Sequence, residues 1–193
     1  MVAYFFHIKK FNLEVYLHQN NYPMLNKVEQ LRKTHGEPSE RAQKKVLNYL
    51  TEDVKSFIEN APFLVLSTSN SEGDCDASPR GGKPGFVKII DEKTLVIPDI
   101  RGNRLLQSTS NILSNPKAGI IFFIPGNNKS VRVNGSVTLL EVEEIKKLGI
   151  NNTIFNPDET SQIIQGLLIT VDEAYRHCPR ALSFSNLWSF KES

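Results

Sequence analysis

Residues 119–140 read GIIFFIPGNNKSVRVNGSVTLL and contain two strand patterns separated by a turn. The first part, GIIFFI, is apolar at nearly every position, which predicts a strand that is buried on both faces and lies in the centre of a sheet. The run from Pro125 to Asn128 predicts a turn. Residues 130–140 then alternate, with Val131, Val133, Val137 and Leu139 on one side, which predicts a strand with one packed face.

Further strands and helices are predicted on either side of this pair. Short apolar runs predict strands at residues 63–68, 86–90, 94–97 and 167–171. Helical spacing and end signals predict helices at 25–35, from Pro38 to Asn60, at 103–113 and at 141–148. Six short strands joined mostly by turns predict an α+β protein built on an antiparallel barrel or sandwich.

The composition excludes several classes of protein. The chain has 193 residues and a formal net charge of +2, which argues against a polycation that coats nucleic acid. A β-barrel that binds nucleic acid would need aromatic platforms in a basic groove, and the apolar setting of Phe122 and Phe123 indicates core instead. Two cysteines are too few for a disulfide scaffold or a multi-cysteine zinc site. No apolar run is long enough to predict a membrane span.

Residues 1–23 are predicted to be an N-terminal extension to a domain that covers residues 24–193. Lys9 and Lys10 follow the apolar start instead of preceding it, and no small-residue cleavage site comes next, so we expect a cytoplasmic protein without a signal peptide. Two interpretations of the extension remain open. It is either an over-long translation start or an arm that docks elsewhere.

Two segments carry the residue types of a binding site. The first, DASPRGGKPG at residues 76–85, contains three glycines, through which a backbone can approach a ligand closely, together with Ser78 and Arg80 as donors. The second, PDIRGNR at residues 98–104, leads into a predicted helix whose N-terminus favours an anion. The alternatives are a solvated hairpin loop with a surface arginine and a plain helix cap. Together the two segments could hold one phosphate group, although neither is a P-loop or a dinucleotide-binding fingerprint.

The run DASPRGGKPGFVKIIDEKTLVIPDIRGNRLLQSTSNILSNPKAGIIFFIPGNNKSVRVNG resembles the pyridoxamine 5′-phosphate oxidase-like flavoproteins. The likeness covers about residues 24–190, and its marks are a DxSPRG stretch, an IPD…GNR stretch and an RVNG strand. The resemblance implies a six-stranded antiparallel split β-barrel with flanking helices. It also implies FMN as cofactor and a homodimer with FMN between the protomers.

The resemblance also implies site residues, position by position. Ser78 and Arg80 match the DxSPRG motif and are expected to meet the cofactor, while Asn103 and Arg104 match the GNR motif and are expected to hold its phosphate. Ile97, Pro98 and Asp99 match the strand end along which the flavin ring lies. Arg132 and Asn134 match the RVNG strand, where a structural role is an equal alternative.

The C-terminal segment HCPRALSFSNLW also resembles the family, and there Trp188 is expected near the cofactor, including that of the other protomer. The family pattern has an arginine where this chain has Phe184, so one cationic contact is expected to be missing.

The expected function is that of an FMN-dependent oxidoreductase acting on a small molecule, with no nucleic acid or membrane as partner. The alternatives are a non-enzymatic flavin-binding protein for storage or sensing, and a barrel that carries haem. The sequence offers no clear catalytic acid or base, since the adjacent His177 and Cys178 are more typical of structural residues.

Overall fold

The computed structural model describes residues 24–102, 104–151 and 153–189. The chain divides into two compact units, one ending at Gln43 and the other beginning at Lys44. The proposed extension at residues 1–23 lies outside the described residues, so its two interpretations remain predictions. In the described part, no helix is long and apolar enough to cross a membrane.

The N-terminal helices differ from the prediction in one respect. Helix α1 spans Met24–His35, close to the predicted 25–35. The single helix predicted from Pro38 to Asn60 is instead two, α2 at Glu40–Lys44 and α3 at Glu52–Asn60. Between them Leu47 forms a β-bridge with Ala174, and the backbone N–H of Leu50 donates to the carbonyl of Glu92. These contacts with the sheet favour extended backbone over the helix that local spacing predicts.

Seven strands form one antiparallel sheet in the order β2-β1-β5-β6-β7-β4-β3. Their bounds are β1 Phe63–Ser69, β2 Cys75–Gly81, β3 Lys88–Ile89, β4 Thr94–Ile100, β5 Lys117–Phe123, β6 Ser130–Leu140 and β7 Ile163–His177. All six predicted strands are present, and β5 and β6 lie side by side inside the sheet, as their patterns predict. The α+β class and the antiparallel sheet are therefore confirmed, with one strand more than predicted.

The additional strand, β2, falls on the segment that was predicted as a loop. It pairs with β1 over its whole length, from Cys75 opposite Ser69 to Gly81 opposite Phe63. Because β2 is the last strand on its side of the sheet, Pro79 can occupy it without removing a required ladder hydrogen bond. The sequence did not predict this strand, because Pro and Gly residues are more typical of loops.

The sheet curls around one apolar core. Buried side chains from β1, β4, β5, β6 and β7 belong to a single cluster, together with Val54, Phe57 and Ile58 of α3. Strands β1 and β4, which are each next to the last strand on their side of the sheet, share this cluster, so the sheet is closed up on itself as in a barrel. Ile97 of β4 lies in this cluster, and Val96 belongs to a smaller cluster on the other face of the same strand.

The remaining helices lie between or after the strands. Helix α4 spans Gln107–Ser114, starting four residues later than predicted, and α5 spans Val142–Lys147 within the predicted 141–148. Helix α6, Arg180–Ser185, was not predicted and follows the end of β7. Of these three helices, only α4 contributes to the site described next.

Candidate functional site

A cavity of about 620 Å³ lies where the two predicted binding segments meet. Its lining comes from β2, the end of β4, the segment that follows it and the start of α4. Ser78, Arg80, Pro98, Asp99 and Arg104 are all among the lining residues. Two segments about twenty residues apart in sequence are thus brought to one place, as predicted. The volume is within the range of small-molecule sites.

Strand β2 presents its polar side chains to one face. Asp76, Ser78 and Arg80 are half-buried, whereas the residues between them are exposed. This period of two is what a strand imposes, and it aims all three side chains at the cavity. The alternation of polar residues in Asp-x-Ser-x-Arg is the sequence feature that could have predicted β2.

Arg80 connects β2 with β4 across the cavity. Its Nη1 donates to Oδ1 of Asp99 in a salt bridge between two largely buried side chains. Its Nε is buried and has no hydrogen-bond partner among the described residues. Arg80 therefore keeps one buried donor without a described partner at the wall of the cavity.

Asp99 is held by a third strand and by α4. Its Oδ2 accepts a hydrogen bond of 2.8 Å from Nε2 of Gln165 on β7, and the same Nε2 donates to Oγ1 of Thr109 at 2.7 Å. Gln165 thus links β7, β4 and α4 beneath the cavity. Sequence reasoning missed it, because one glutamine in an apolar run carries no motif.

Asp76 connects β2 with β1 and α4. Its Oδ1 accepts hydrogen bonds from the backbone N–H and the hydroxyl of Thr68 and from Nδ2 of Asn111, and its Oδ2 accepts from the hydroxyl of Ser108 at 2.7 Å. Burial alone would raise the pKa of Asp76, but the hydrogen bonds from Thr68, Ser108 and Asn111 outweigh it and lower the pKa. This carboxylate positions the helix start, a role that was not predicted for the first residue of DxSPRG.

The segment before α4 carries unpaired positive charge and unusual backbone. Arg101 and Arg104 are exposed, line the cavity and form no salt bridge with a described residue. Arg104 and Leu106 have φ values of 64° and 52°, in the left-handed region that side chains with a Cβ rarely adopt. Strain of this kind is concentrated at binding sites. The positive end of α4 adds to the attraction for an anion.

Apolar side chains complete the cavity wall. They are Phe86, Ile100, Leu105, Leu106, Ile154 and Ile164. The backbone beside Phe86 is tightly packed, because a Cβ on Gly82 would lie 2.6 Å from Cβ of Phe86 and 2.8 Å from the carbonyl oxygen of Thr153. The cavity therefore pairs cations with an apolar surface, as a ligand with an anionic group and a flat ring would require.

Two predicted residues, Ile97 and Trp188, do not line the cavity within one chain, and a third is not described. Asn103 lies outside the described residues. The side chain of Ile97 is 0% exposed and packs in the apolar core. The Nε1–H of Trp188 donates to the carbonyl of Asn127 at 3.0 Å, in the turn between β5 and β6. Within one chain, Trp188 is not part of the cavity.

The other residues singled out in the sequence also lie elsewhere. Arg132 donates to the Tyr175 hydroxyl, Asn134 donates to Glu173, and neither lines the cavity. Phe184 is 74% exposed, with the Arg180 guanidinium 5.1 Å from its ring centroid. Across the described residues, no group of three or more His, Cys, Asp or Glu side chains could hold a metal ion.

Comparison with known proteins gives a family and a fold. The family model described as pyridoxamine 5′-phosphate oxidase matches residues 50–177, about two-thirds of the chain, and this span contains both cavity segments. No curated protein sequence matches the chain.

Two solved structures share the fold. An FMN-binding protein from Syntrophomonas wolfei subsp. wolfei aligns with a TM-score of 0.51 and 15% identity, covering 80% of this chain and 97% of its own. A HupZ variant from Group A Streptococcus aligns with a TM-score of 0.50 and 18% identity, covering 66% of this chain and 99% of its own. At such identities the likeness shows the split-barrel fold.

Proposed function

The chain belongs to the pyridoxamine 5′-phosphate oxidase family, and from this premise we propose that it binds FMN in the cavity and acts as an FMN-dependent oxidoreductase on a small molecule. The observation that carries the proposal is the meeting of Ser78, Arg80 and Arg104 on one cavity of about 620 Å³. The name of the Syntrophomonas wolfei neighbour, an FMN-binding protein of the same fold, is consistent with it.

The residues present fit such a cofactor. Nε of Arg80 has no partner among the described residues, and Arg101 and Arg104 form no salt bridge with a described residue, so the cavity lining keeps positive charge for an anionic group. A phosphate carries close to two negative charges at neutral pH and gains about 1.5–3 kcal/mol from each charge-assisted hydrogen bond. Ser78, Arg104 and the first turn of α4 would hold that phosphate.

FMN, when bound, supplies the electron-transfer chemistry, and the protein supplies binding and orientation. Asp99 keeps the Arg80 guanidinium at the cavity wall, and Gln165 keeps Asp99 in place. The apolar side chains opposite would exclude water from a flat ring. Among the described residues of the lining there is no histidine, cysteine, lysine or tyrosine, so these residues contribute no obvious proton donor there.

That absence favours a second candidate, a flavin-binding protein without catalytic turnover. The two functions differ in one measurable respect. An enzyme must exchange electrons with a donor such as NADPH, whereas a storage or sensing protein need only bind. The same cavity would bind FMN in either case.

We also propose that the protein is a homodimer with FMN at the interface. Support comes from the apolar rim of the cavity, where Leu105 is 74% exposed and Leu106 is 52% exposed. Side chains of this kind are costly to leave in water, and a second copy could cover them. The prediction that Trp188 approaches the cofactor then applies to the partner subunit.

The central experiment is an absorption spectrum of the purified protein, followed by titration with FMN. We expect a flavin spectrum and release of FMN, not FAD, on denaturation. Colourless protein that takes up no FMN would refute the proposal, and a haem spectrum would replace it with the haem alternative.

Two further measurements distinguish an enzyme from a binding protein and test the proposed dimer. Anaerobic addition of NADH or NADPH should bleach the flavin if the protein is an oxidoreductase, and a flavin that neither donor reduces supports the binding protein. Analytical ultracentrifugation of the flavin-loaded protein should give a dimer. A monomer with full flavin occupancy would rule out the shared site.

A further inference from the structure

A second polar cluster lies on the sheet, apart from the cavity. Arg132 of β6 is opposite Tyr175 of β7, and Ser130 is opposite His177, so these side chains are neighbours on one face. The alternate residues, such as Val131, point into the core, which places this face on the outside of the barrel. We call Lys45, Arg132, Tyr175 and His177 the basic cluster. None of the four lines the cavity.

The basic cluster is arranged around the ring of Tyr175. Nζ of Lys45 is 4.9 Å from the ring centroid, Cζ of Arg132 is 5.8 Å from it, and the His177 ring centroid is 5.2 Å from it. Nη1 of Arg132 also donates to the Tyr175 hydroxyl at 3.1 Å. Three nitrogen-bearing side chains therefore surround one aromatic ring.

The positive charge of this cluster is not neutralised by a described carboxylate. Neither Lys45 nor Arg132 forms a salt bridge within the described part of the chain. Glu173 lies on the same face and accepts a hydrogen bond of 2.8 Å from Asn134, but it forms no salt bridge with Lys45 or Arg132. Attraction between the cations and the Tyr175 ring offsets part of the repulsion. Nζ of Lys45 also donates a long hydrogen bond of 3.5 Å to the carbonyl oxygen of Arg176, which leaves its charge unpaired.

His177 supplies the observation that points to a ligand. Its Nε2 is buried and has no hydrogen-bond partner among the described residues. Burial lowers the pKa of His177, and the positive charges of Arg132 and Lys45 lower it further. A buried polar atom without a partner is costly and calls for an explanation. An anion between these groups would satisfy the nitrogen and neutralise the repulsion.

We infer that the basic cluster binds a phosphate group, free or at the end of a small molecule, at a site separate from the cavity. The donors would be Nζ of Lys45, the Arg132 guanidinium and Nε2 of protonated His177. The Tyr175 hydroxyl accepts from Arg132, which leaves its own proton for the ligand. This inference does not depend on FMN binding, because it concerns other residues on another face.

The test follows the His177 imidazole by NMR in the purified full-length protein, at constant ionic strength. The probes are inorganic phosphate and glycerol phosphate, added to about 10 mM. We expect either probe to raise the pKa of His177, because a bound dianion stabilises the imidazolium ion. His177→Gln assigns the signal among the four histidines of the chain. A pKa that neither probe moves would overturn the inference.

Variants decide where the phosphate sits. Lys45→Gln changes an exposed side chain and Arg132→Gln a half-buried one, and each should weaken phosphate binding about 10-fold or more. Arg176→Gln is the matched control, since it removes the same charge from β7 at an exposed position where Arg176 pairs with Asp53. It should leave binding unchanged. Binding lost in Arg104→Ala but kept in Lys45→Gln would place the ion in the cavity and refute the basic cluster.

Discussion

Arg80 on β2 and Asp99 on β4 form a salt bridge, although four strands separate β2 from β4 in the order of the sheet. The contact is possible only because the sheet curls until its two ends approach each other. One ion pair thus joins the edges of the barrel and forms part of the wall of the cavity. Arg80 and Asp99 therefore contribute both to the stability of the fold and to the wall of the proposed binding site.

The first prediction concerns the stability that this ion pair provides. The Asp99 side chain is 6% exposed and that of Arg80 is 20% exposed, so Asp99→Asn leaves a largely buried guanidinium without its counter-charge. We expect a loss of about 2–4 kcal/mol in the free energy of unfolding, measured by urea denaturation.

Asp172→Asn is the matched control for this prediction. It breaks the salt bridge with Lys117, in which the side chains are 48% and 59% exposed, and it should cost less than about 1 kcal/mol. Equal losses in the two variants would show that the Arg80–Asp99 pair contributes no more than a surface contact.

The second prediction separates binding from backbone strain at Arg104. Arg104→Ala removes the guanidinium but keeps a Cβ at a φ of 64°, whereas Arg104→Gly also relieves the strain. Both variants should weaken FMN binding by about 2 kcal/mol in a fluorescence titration, because both lose a charged phosphate contact. Only the glycine variant should be more stable than the native chain, by about 1 kcal/mol.

Lys147→Ala serves as a control for general loss of positive charge, since Lys147 is exposed on α5 and is not among the residues that line the cavity. It should bind FMN as the native chain does. Unchanged FMN affinity in both Arg104 variants would show that Arg104 is a surface residue without a role in binding.

The sequence predicted most of the sheet because most strands carry a clear apolar pattern. Residues 119–124 and 130–140 became β5 and β6 with nearly the expected bounds. Strand β2 was missed because its Pro and Gly residues are typical of loops, and its pairing with β1 depends on contacts that no local pattern encodes. The helix predicted from Pro38 to Asn60 is interrupted at Leu47 for the same reason, because Leu47 forms a bridge to a strand more than a hundred residues away in sequence.

The sequence predicted those site residues that belong to a recognisable motif, and it did not predict the others. The DxSPRG and GNR stretches located the cavity, although Asn103 remains untested. Ile97 was included with the strand end that matched the family, but its side chain packs in the core. The hydrogen bonds of Gln165 and Asp76 that support the site depend on the tertiary arrangement, so they could not be predicted from single residues in the sequence.

The third prediction is a pH dependence of stability due to Asp76. Hydrogen bonds hold its pKa below the ordinary value of 3.8 in the folded protein, so protonation opposes folding. Its contribution is complete above the unfolded pKa and is lost as the pH falls through the folded pKa. Asp76→Asn should therefore be less stable than the native chain near pH 7, and the difference should narrow below about pH 4.

Urea denaturation at several pH values measures this difference. Asp53 and Asp158 also have lowered pKa values, but they are present in both proteins and cancel in the comparison. A difference between native and variant that stays constant from pH 7 to the acid range would mean that the Asp76 carboxylate gives no pH-dependent stability.

The fourth prediction explains the glycine of the RVNG stretch. Gly135 lies where the register between β6 and β7 shifts, and a Cβ there would be 2.3 Å from the carbonyl oxygen of Thr170 and 2.8 Å from Cγ2 of Ile169. The obstacle is the backbone of the neighbouring strand, which cannot move without breaking its ladder. Gly135→Ala should lower the free energy of unfolding by roughly 3 kcal/mol in urea denaturation.

Gly119→Ala, in the adjacent strand β5, is the control for this close approach. A Cβ at Gly119 would lie 3.3 Å from Oδ1 of Asn134, a side-chain atom that can shift by a few tenths of an ångström. We expect this variant to lose less than about 1 kcal/mol. If both alanine variants were equally stable, the close approach to Thr170 would not account for the glycine at position 135.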